Sequence, residues 1–163
     1  IQDGCNQFCT YCIIPYARGR ERSGDHQKIL KEAQALSFLN KEIVLTGIHT
    51  GRYNDGVYDL AMLLKDMIKI EGLQTIRLSS IEITEISDEI IGLMENGAVN
   101  YIIYTGAVKD DTVGDYTVLH RRAMVLGIPC MTSLDTAGAL MDILGSRFSL
   151  ENTELVDINR MRR

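Results

Sequence analysis

Cys5, Cys9 and Cys12 stand in the pattern Cys-x-x-x-Cys-x-x-Cys, while the fourth cysteine, Cys130, lies far downstream. Spacings of three and two intervening residues let one loop wrap three thiolates around a single centre. Three ligands are one short of a closed structural zinc site and one short of the four that fill a cubane cluster. A centre held in this way keeps a coordination position open for chemistry. A 4Fe-4S cluster on three cysteines leaves one iron free to chelate a substrate or cofactor. The competing assignment is a zinc knuckle completed by His26, His49 or Cys130. Cys130 itself lies in the apolar run Ile128-Pro129-Cys130-Met131-Thr132 and reads as a buried core residue.

Composition frames this chemistry. The chain has 163 residues, 45% apolar and 24% charged, which allows one domain or two small incomplete ones. Seventeen basic against 22 acidic side chains give a net charge of -5 and exclude a generally basic nucleic-acid binder. A local patch remains open: Arg18, Arg20 and Arg22 alternate in one loop and suit RNA phosphates or a carboxylate, unless they are simply solvated around Glu21. No apolar run approaches the ~18 residues of a membrane span, and no secretory h-region follows a charged start. Clustered cysteines in such a chain point to metal ligands in a reducing compartment, so the cytoplasm is the expected location. Beginning at Ile1 rather than Met, the chain reads as a fragment or a trimmed product.

The elements that must position the cysteines follow from periodicity. Residues 1 to about 23 read as a loop. A helix is predicted over 26–39, with Ile29, Leu30, Ala33, Leu36 and Leu39 as its apolar stripe, Asp25 as N-cap and Asn40 as stop. Further helices are predicted over 58–70, 87–94, 116–126 and 137–144. Strands are predicted over 42–47, 75–79, 100–104 and 128–132. The tail from Ser146 is polar and without a period. Strands alternating with helices give an α/β fold with parallel sheet.

The string Cys5-Asn6-Gln7-Phe8-Cys9-Thr10-Tyr11-Cys12-Ile13-Ile14-Pro15 resembles the cluster loop of radical S-adenosylmethionine (SAM) enzymes, with an aromatic residue before the third cysteine. Its continuation through Tyr16-Ala17-Arg18-Gly19-Arg20-Glu21-Arg22-Ser23 is similar to the methylthiotransferases. Together with Glu42-Ile43-Val44-Leu45-Thr46-Gly47-Ile48-His49-Thr50-Gly51 and Ile76-Arg77-Leu78-Ser79-Ser80-Ile81-Glu82, it resembles the bacterial tRNA methylthiotransferases that act on N6-threonylcarbamoyladenosine. The resemblance implies that Cys5, Cys9 and Cys12 hold a 4Fe-4S cluster whose open iron chelates SAM. One electron, delivered by a donor protein, would cleave SAM to methionine and a 5′-deoxyadenosyl radical, and a methylthio group would enter the adenine ring of tRNA. It further implies that Tyr11 lies near the SAM adenine and that Thr46 and Gly47 meet its amino group. Ser79, Ser80 and Glu82 would face the ribose. A glycine at 47 suits close backbone approach, or a plain turn at a strand end. Functional groups at the C-terminal ends of parallel strands are where a barrel of this kind puts them.

The resemblance runs from Ile1 to about Met94 and covers only part of a radical SAM barrel; the next expected strand does not follow. Residues from Ile91 through Val118-Leu119-His120-Arg121-Arg122-Ala123 and Gly127-Ile128-Pro129-Cys130-Met131-Thr132 to the tail instead resemble the C-terminal regulatory domain of the carbamoyl phosphate synthase large chain. That implies a truncated methylglyoxal-synthase-like fold over 95–163, with Thr105, Ser133 and Thr136 lining part of a pocket for a nucleotide effector. As cap and turn residues these three have a simpler explanation. Two domains, 1–94 and 95–163, are therefore expected, joined within one helix. Because strands and helices alternate across the join, one compact α/β layer is a possible outcome. Three functions remain in play: part of a tRNA-modifying transferase, inactive alone because its barrel is incomplete; an allosteric nucleotide-binding piece; or a chimera with no native function.

Overall fold

A computed structural model describes residues 1–79, 81–105 and 113–146. Ser80 and the polar tail from 147 onward, both singled out above, lie outside the described residues. The chain order is β1 (Gln2–Asp3), α1 (Ile14–Arg18), β2 (Arg22–Ser23), α2 (His26–Ser37), β3 (Glu42–Leu45), α3 (Leu60–Met67) and β4 (Thr75–Leu78), followed by α4 (Asp88–Glu95), β5 (Ile102–Ile103), α5 (Val113–Val125), β6 (Cys130–Met131) and α6 (Leu134–Gly145). Single 3-10 turns occupy Thr50–Arg52 and Ile83–Glu85.

The helix–strand alternation expected from periodicity is present, and its boundaries have visible causes. Asp25 caps α2 by accepting the Lys28 N–H at 3.0 Å. Asn40 closes that end, its amide and side chain both donating to the Leu36 carbonyl. The expected stripe is only half used. Ala33 is buried and Ile29 and Leu30 pack on the core, but Leu36 and Leu39 are exposed. Helix α2 stops at Ser37, so Leu39 leaves the apolar face before it can be covered. Asp59 caps α3 through the Met62 N–H, which moves the start of that helix two residues past the expected Tyr58. Ser133 caps α6 through Asp135 N–H and starts it at Leu134, earlier than the expected Ala137.

The strands do not merge into one layer. β3 and β4 pair in parallel from Glu42↔Thr75 to Leu45↔Leu78, β5 and β6 pair in parallel, and β1 pairs antiparallel with β2. Among the described residues these are three separate two-stranded sheets, and β4 makes no pairing with β5. The cores are separate as well. Ala33, Leu45, Tyr53, Leu60, Leu63, Leu64, Met67 and Leu93 form the first. Met94, Leu119, Ala123 and Ile128 form the second. The segment 1–23, expected as loop throughout, also contains α1 and the β1–β2 pair; elements of five and two residues are too short to carry a period. No helix among the described residues is long and apolar enough to cross a membrane.

Candidate functional site

The cysteines occupy a closed loop between β1 and β2. The Cys5 N–H donates to the Gly19 carbonyl at 3.1 Å, and the strands pair behind it. Gly4 permits this closure: its φ is +75°, and a Cβ there would sit 2.1 Å from the Arg20 carbonyl oxygen. Phe8, also left-handed at φ 48°, turns the chain between Cys5 and Cys9. Cys12 N–H then donates to the Cys9 carbonyl at 3.0 Å. The ring of Phe8 meets Tyr16 edge to face, with centroids 5.8 Å apart.

All three thiols are free; Cys5 is buried, Cys12 half-buried and Cys9 exposed. The Cys5 sulfur already accepts the Gln7 N–H at 3.4 Å, the kind of contact that tunes a cluster-bound thiolate. Three thiols on one loop are a donor set that suits an iron–sulfur centre. Among the described residues, no three His, Cys, Asp or Glu side chains are gathered around a common metal position. The fit therefore lies in donor chemistry and loop closure rather than in a preassembled cage. Among the described residues His26, His49 and Cys130 are not gathered with the cysteines into a metal-ligating group. His26 Nδ1 lies 2.6 Å from Asp55 Oδ2, and His49 Nδ1 lies 2.7 Å from Glu85 Oε1. Cys130 packs on the second core, where burial pushes its thiol pKa up.

Three of the strand-end candidates come together at the C-terminal end of the parallel pair. The Thr46 carbonyl accepts from the Ile1 nitrogen at 2.9 Å. Gly47 follows it, and a Cβ there would meet the Gln2 carbonyl oxygen at 2.7 Å, so close approach of β1 is what demands glycine. Ser79 clamps the pair, its N–H and its hydroxyl both donating to the Leu45 carbonyl at 3.3 Å. Glu82 is exposed one turn further on, where its N–H donates to Glu85 Oε2. Tyr11 lies on the cysteine loop and is 90% exposed.

The arginines are not a free array. Arg22 and Arg18 both turn back onto Asp3, and Arg22 Nη1 also donates to the Arg18 carbonyl at 2.8 Å. Glu21, between them, pairs with Arg52 at 3.1 Å. Among the described residues Arg20 makes no ion pair. In the second half Ser133 is the cap of α6 and Thr136 lies inside that helix, not at a strand end, while Thr105 is exposed beyond β5.

The sequence did not single out Gln2, Asp55 or Glu85. Asp55 receives N–H groups from Tyr58, Val57 and His26 as well as the His26 ring, and His26 stacks on Tyr58 at 4.0 Å. The Tyr58 amide foremost, with those of His26 and Val57 and the His26 ring, holds the Asp55 carboxyl well below the usual range, against the opposing effect of burial. Burial, followed by the nearby Asp55 charge, pushes the Tyr53 phenol above its usual range.

Comparison with known proteins bears on the same residues. The radical SAM superfamily matches residues 1–105. A Bacillus subtilis protein named threonylcarbamoyladenosine tRNA methylthiotransferase is 50% identical over 99 residues, covering 58% of this chain and 22% of the relative. One of the same name from Aquifex aeolicus is 48% identical over 96 residues, covering 58% and 23%. A tRNA-2-methylthio-N(6)-dimethylallyladenosine synthase of Clostridium novyi is 45% identical over 98 residues, covering 58% and 22%. The chain thus spans less than a quarter of the length of these curated relatives. With the match running from the cysteine loop through the β3–β4 pair and α4, the chain belongs to the radical SAM superfamily.

Proposed function

We propose that residues 1–94 are the cluster- and SAM-holding part of a tRNA methylthiotransferase whose substrate is N6-threonylcarbamoyladenosine. The carrying observation is the three-thiol loop, closed by Cys5 and Gly19 and set beside the end of a parallel strand pair. In this reading Cys5, Cys9 and Cys12 ligate a 4Fe-4S cluster, and Tyr11, Thr46, Gly47, Ser79 and Glu82 border the SAM site. Bound there, the cluster and SAM supply one-electron radical chemistry. The chain's own part is to bind and shield. Cys5 is withdrawn from water, the Gln7 N–H supports its sulfur, and exposed Phe8, Tyr11 and Tyr16 offer an apolar wall around the loop. The Thr46 side chain and the Gly47 backbone offer polar groups at the strand end. The tRNA and an electron-donor protein are the partners, and the cytoplasm, where tRNA is modified, is the location.

Residues 95–163 form, in the same proposal, a separate segment of the carbamoyl phosphate synthase regulatory type, with a nucleotide effector as its ligand. Leu119, Ala123 and Ile128 of this segment share a second core, to which Met94, Ile83 and Ile86 of the first segment also contribute.

The experiment is anaerobic reconstitution of the chain with iron and sulfide, followed by iron analysis and electron paramagnetic resonance of the reduced sample. A 4Fe-4S signal lost in Cys9→Ala supports the reading; iron binding unchanged by Cys9→Ala overturns it. The chain alone is expected to show no methylthiolation of threonylcarbamoylated tRNA, since much of the relatives' length lies outside it.

A further inference from the structure

Gln2 is only 6% exposed, and its carboxamide is fully engaged. Oε1 accepts two neighbouring N–H groups, Ile48 at 3.0 Å and His49 at 2.8 Å. Nε2 donates to the Gly4 carbonyl at 3.0 Å and to the Asp3 carbonyl at 3.3 Å. One side chain thus ties the residue before Cys5 to the two residues after Gly47. The connection continues through His49, whose Nδ1 meets Glu85 Oε1, while Glu85 Oε2 accepts the Glu82 N–H. Both of those side chains are about as buried as Gln2. Two glycines make room: a Cβ at Gly47 would strike the Gln2 carbonyl, and one at Gly51 would lie 2.6 Å from Glu85 Cβ.

We infer that Gln2 is a positioning residue, which sets the cysteine loop in register with the turns that follow β3 and β4. Resting on the proposed cluster and SAM site, the inference gives Gln2 the task of fixing the spacing that a ligand held by both the loop and the strand ends must fit. A carboxamide is suited to this because it accepts two N–H groups at one end and donates at the other. Methionine, of similar length, would bury the Ile48 and His49 N–H groups and the Gly4 carbonyl unpaired.

The test uses the whole chain in two states. In the metal-free state, iodoacetamide labelling of Cys5 and amide exchange at Ile48 and His49 are measured together. In Gln2→Met both rise about tenfold, the loss of one to two buried hydrogen bonds, while Leu63 and Met67 amides in α3 keep their protection. Ser37→Ala is the control: it removes a hydroxyl bonded to the Gln34 and Glu71 carbonyls, away from these turns, and should move neither readout. In the reconstituted, reduced state, SAM is titrated against the electron paramagnetic resonance signal. Gln2→Met should hold the same iron yet need about tenfold more SAM for the same spectral change. A superposable titration, or Cys5 labelling that rises without faster Ile48 and His49 exchange, overturns the inference. If wild-type chain takes up no iron, the proposed function fails, and the metal-free measurements alone decide the role of Gln2. Should Gln2→Met lose α3 protection, Gln2→Asn, one methylene too short to span both sides, is read in its place with the same expectation.

Discussion

Leu93 and Met94 are neighbours on α4 and are buried in two different cores. Leu93 packs with Leu63, Leu64 and Met67 of α3, and Met94 packs with Leu119 and Ala123 of α5. Adjacent helix positions differ by 100° around the axis, so one helix can serve both sides only if it lies between them. The helix is therefore the seam of the molecule. Truncating either residue leaves a cavity in one core and spares the other.

Leu93→Ala is expected to cost about 2–5 kcal/mol in the first core and to speed exchange in α3, while Met94→Ala speeds exchange in α5. Hydrogen exchange read by mass spectrometry distinguishes the two. If each substitution loosens both helices equally, the cores are one cooperative unit and the division at 94/95 fails. Single long DNA reads across the codons for Ser87 to Tyr101 ask the companion question of whether the join is carried in one frame.

Gly4 and the cysteine loop yield a prediction that separates ligands from bystanders. Gly4→Ala places a Cβ against the Arg20 carbonyl and forces a left-handed residue to carry a side chain. It is expected to open the loop and to lower iron retention after reconstitution as much as Cys9→Ala does. Cys130→Ser lies in the second half of the chain and should leave iron content at the wild-type value. Equal iron loss in Cys130→Ser would bring back the fourth-ligand reading.

Part of this is legible in the sequence alone. The Cys5, Cys9 and Cys12 spacing marks a candidate metal centre in the sequence, and the order of long helices and strands follows from period and caps such as Asp25 and Asn40. What could not be read are pairings across long separations. Gln2 to His49, His49 to Glu85 and His26 to Asp55 join residues 47, 36 and 29 positions apart. No local pattern marks a glutamine in a two-residue strand as a junction. The exposure of Leu36 and Leu39 was equally hidden, because a stripe states which face is apolar and not whether anything covers it. The separation into three small sheets has the same cause: alternation gives element order, not which strand edges meet.

The buried carboxylate Asp55 makes stability depend on acid. Its folded pKa lies below that of the unfolded chain, where a carboxyl titrates near ~3.9. Its contribution is therefore present above that pH and is lost as pH falls toward the folded value. Urea midpoints should drop between about pH 4 and pH 2 in wild type. Asp55→Asn should be less stable at pH 7 and show a flatter fall over the same range. A wild-type midpoint as steep in the variant would assign the acid sensitivity to other carboxylates.

Thr50 sits fully buried between His49 and Gly51, and among the described residues its Oγ1 has no hydrogen-bond partner. A hydroxyl in that position has lost its water without replacement, which costs on the order of 1–3 kcal/mol. Valine matches the shape and removes the polar atom. Thr50→Val is therefore expected to raise the unfolding free energy by about 1 kcal/mol, seen as a higher urea midpoint with an unchanged slope. The neighbouring His49 amide, which donates to Gln2 Oε1, should exchange as in wild type. A lower midpoint would mean that the hydroxyl has a partner in solution. SAM binding to reconstituted wild type and Thr50→Val then shows whether that partner belongs to the cofactor site: weaker binding in the variant places it there, and equal binding places it in the protein's own packing.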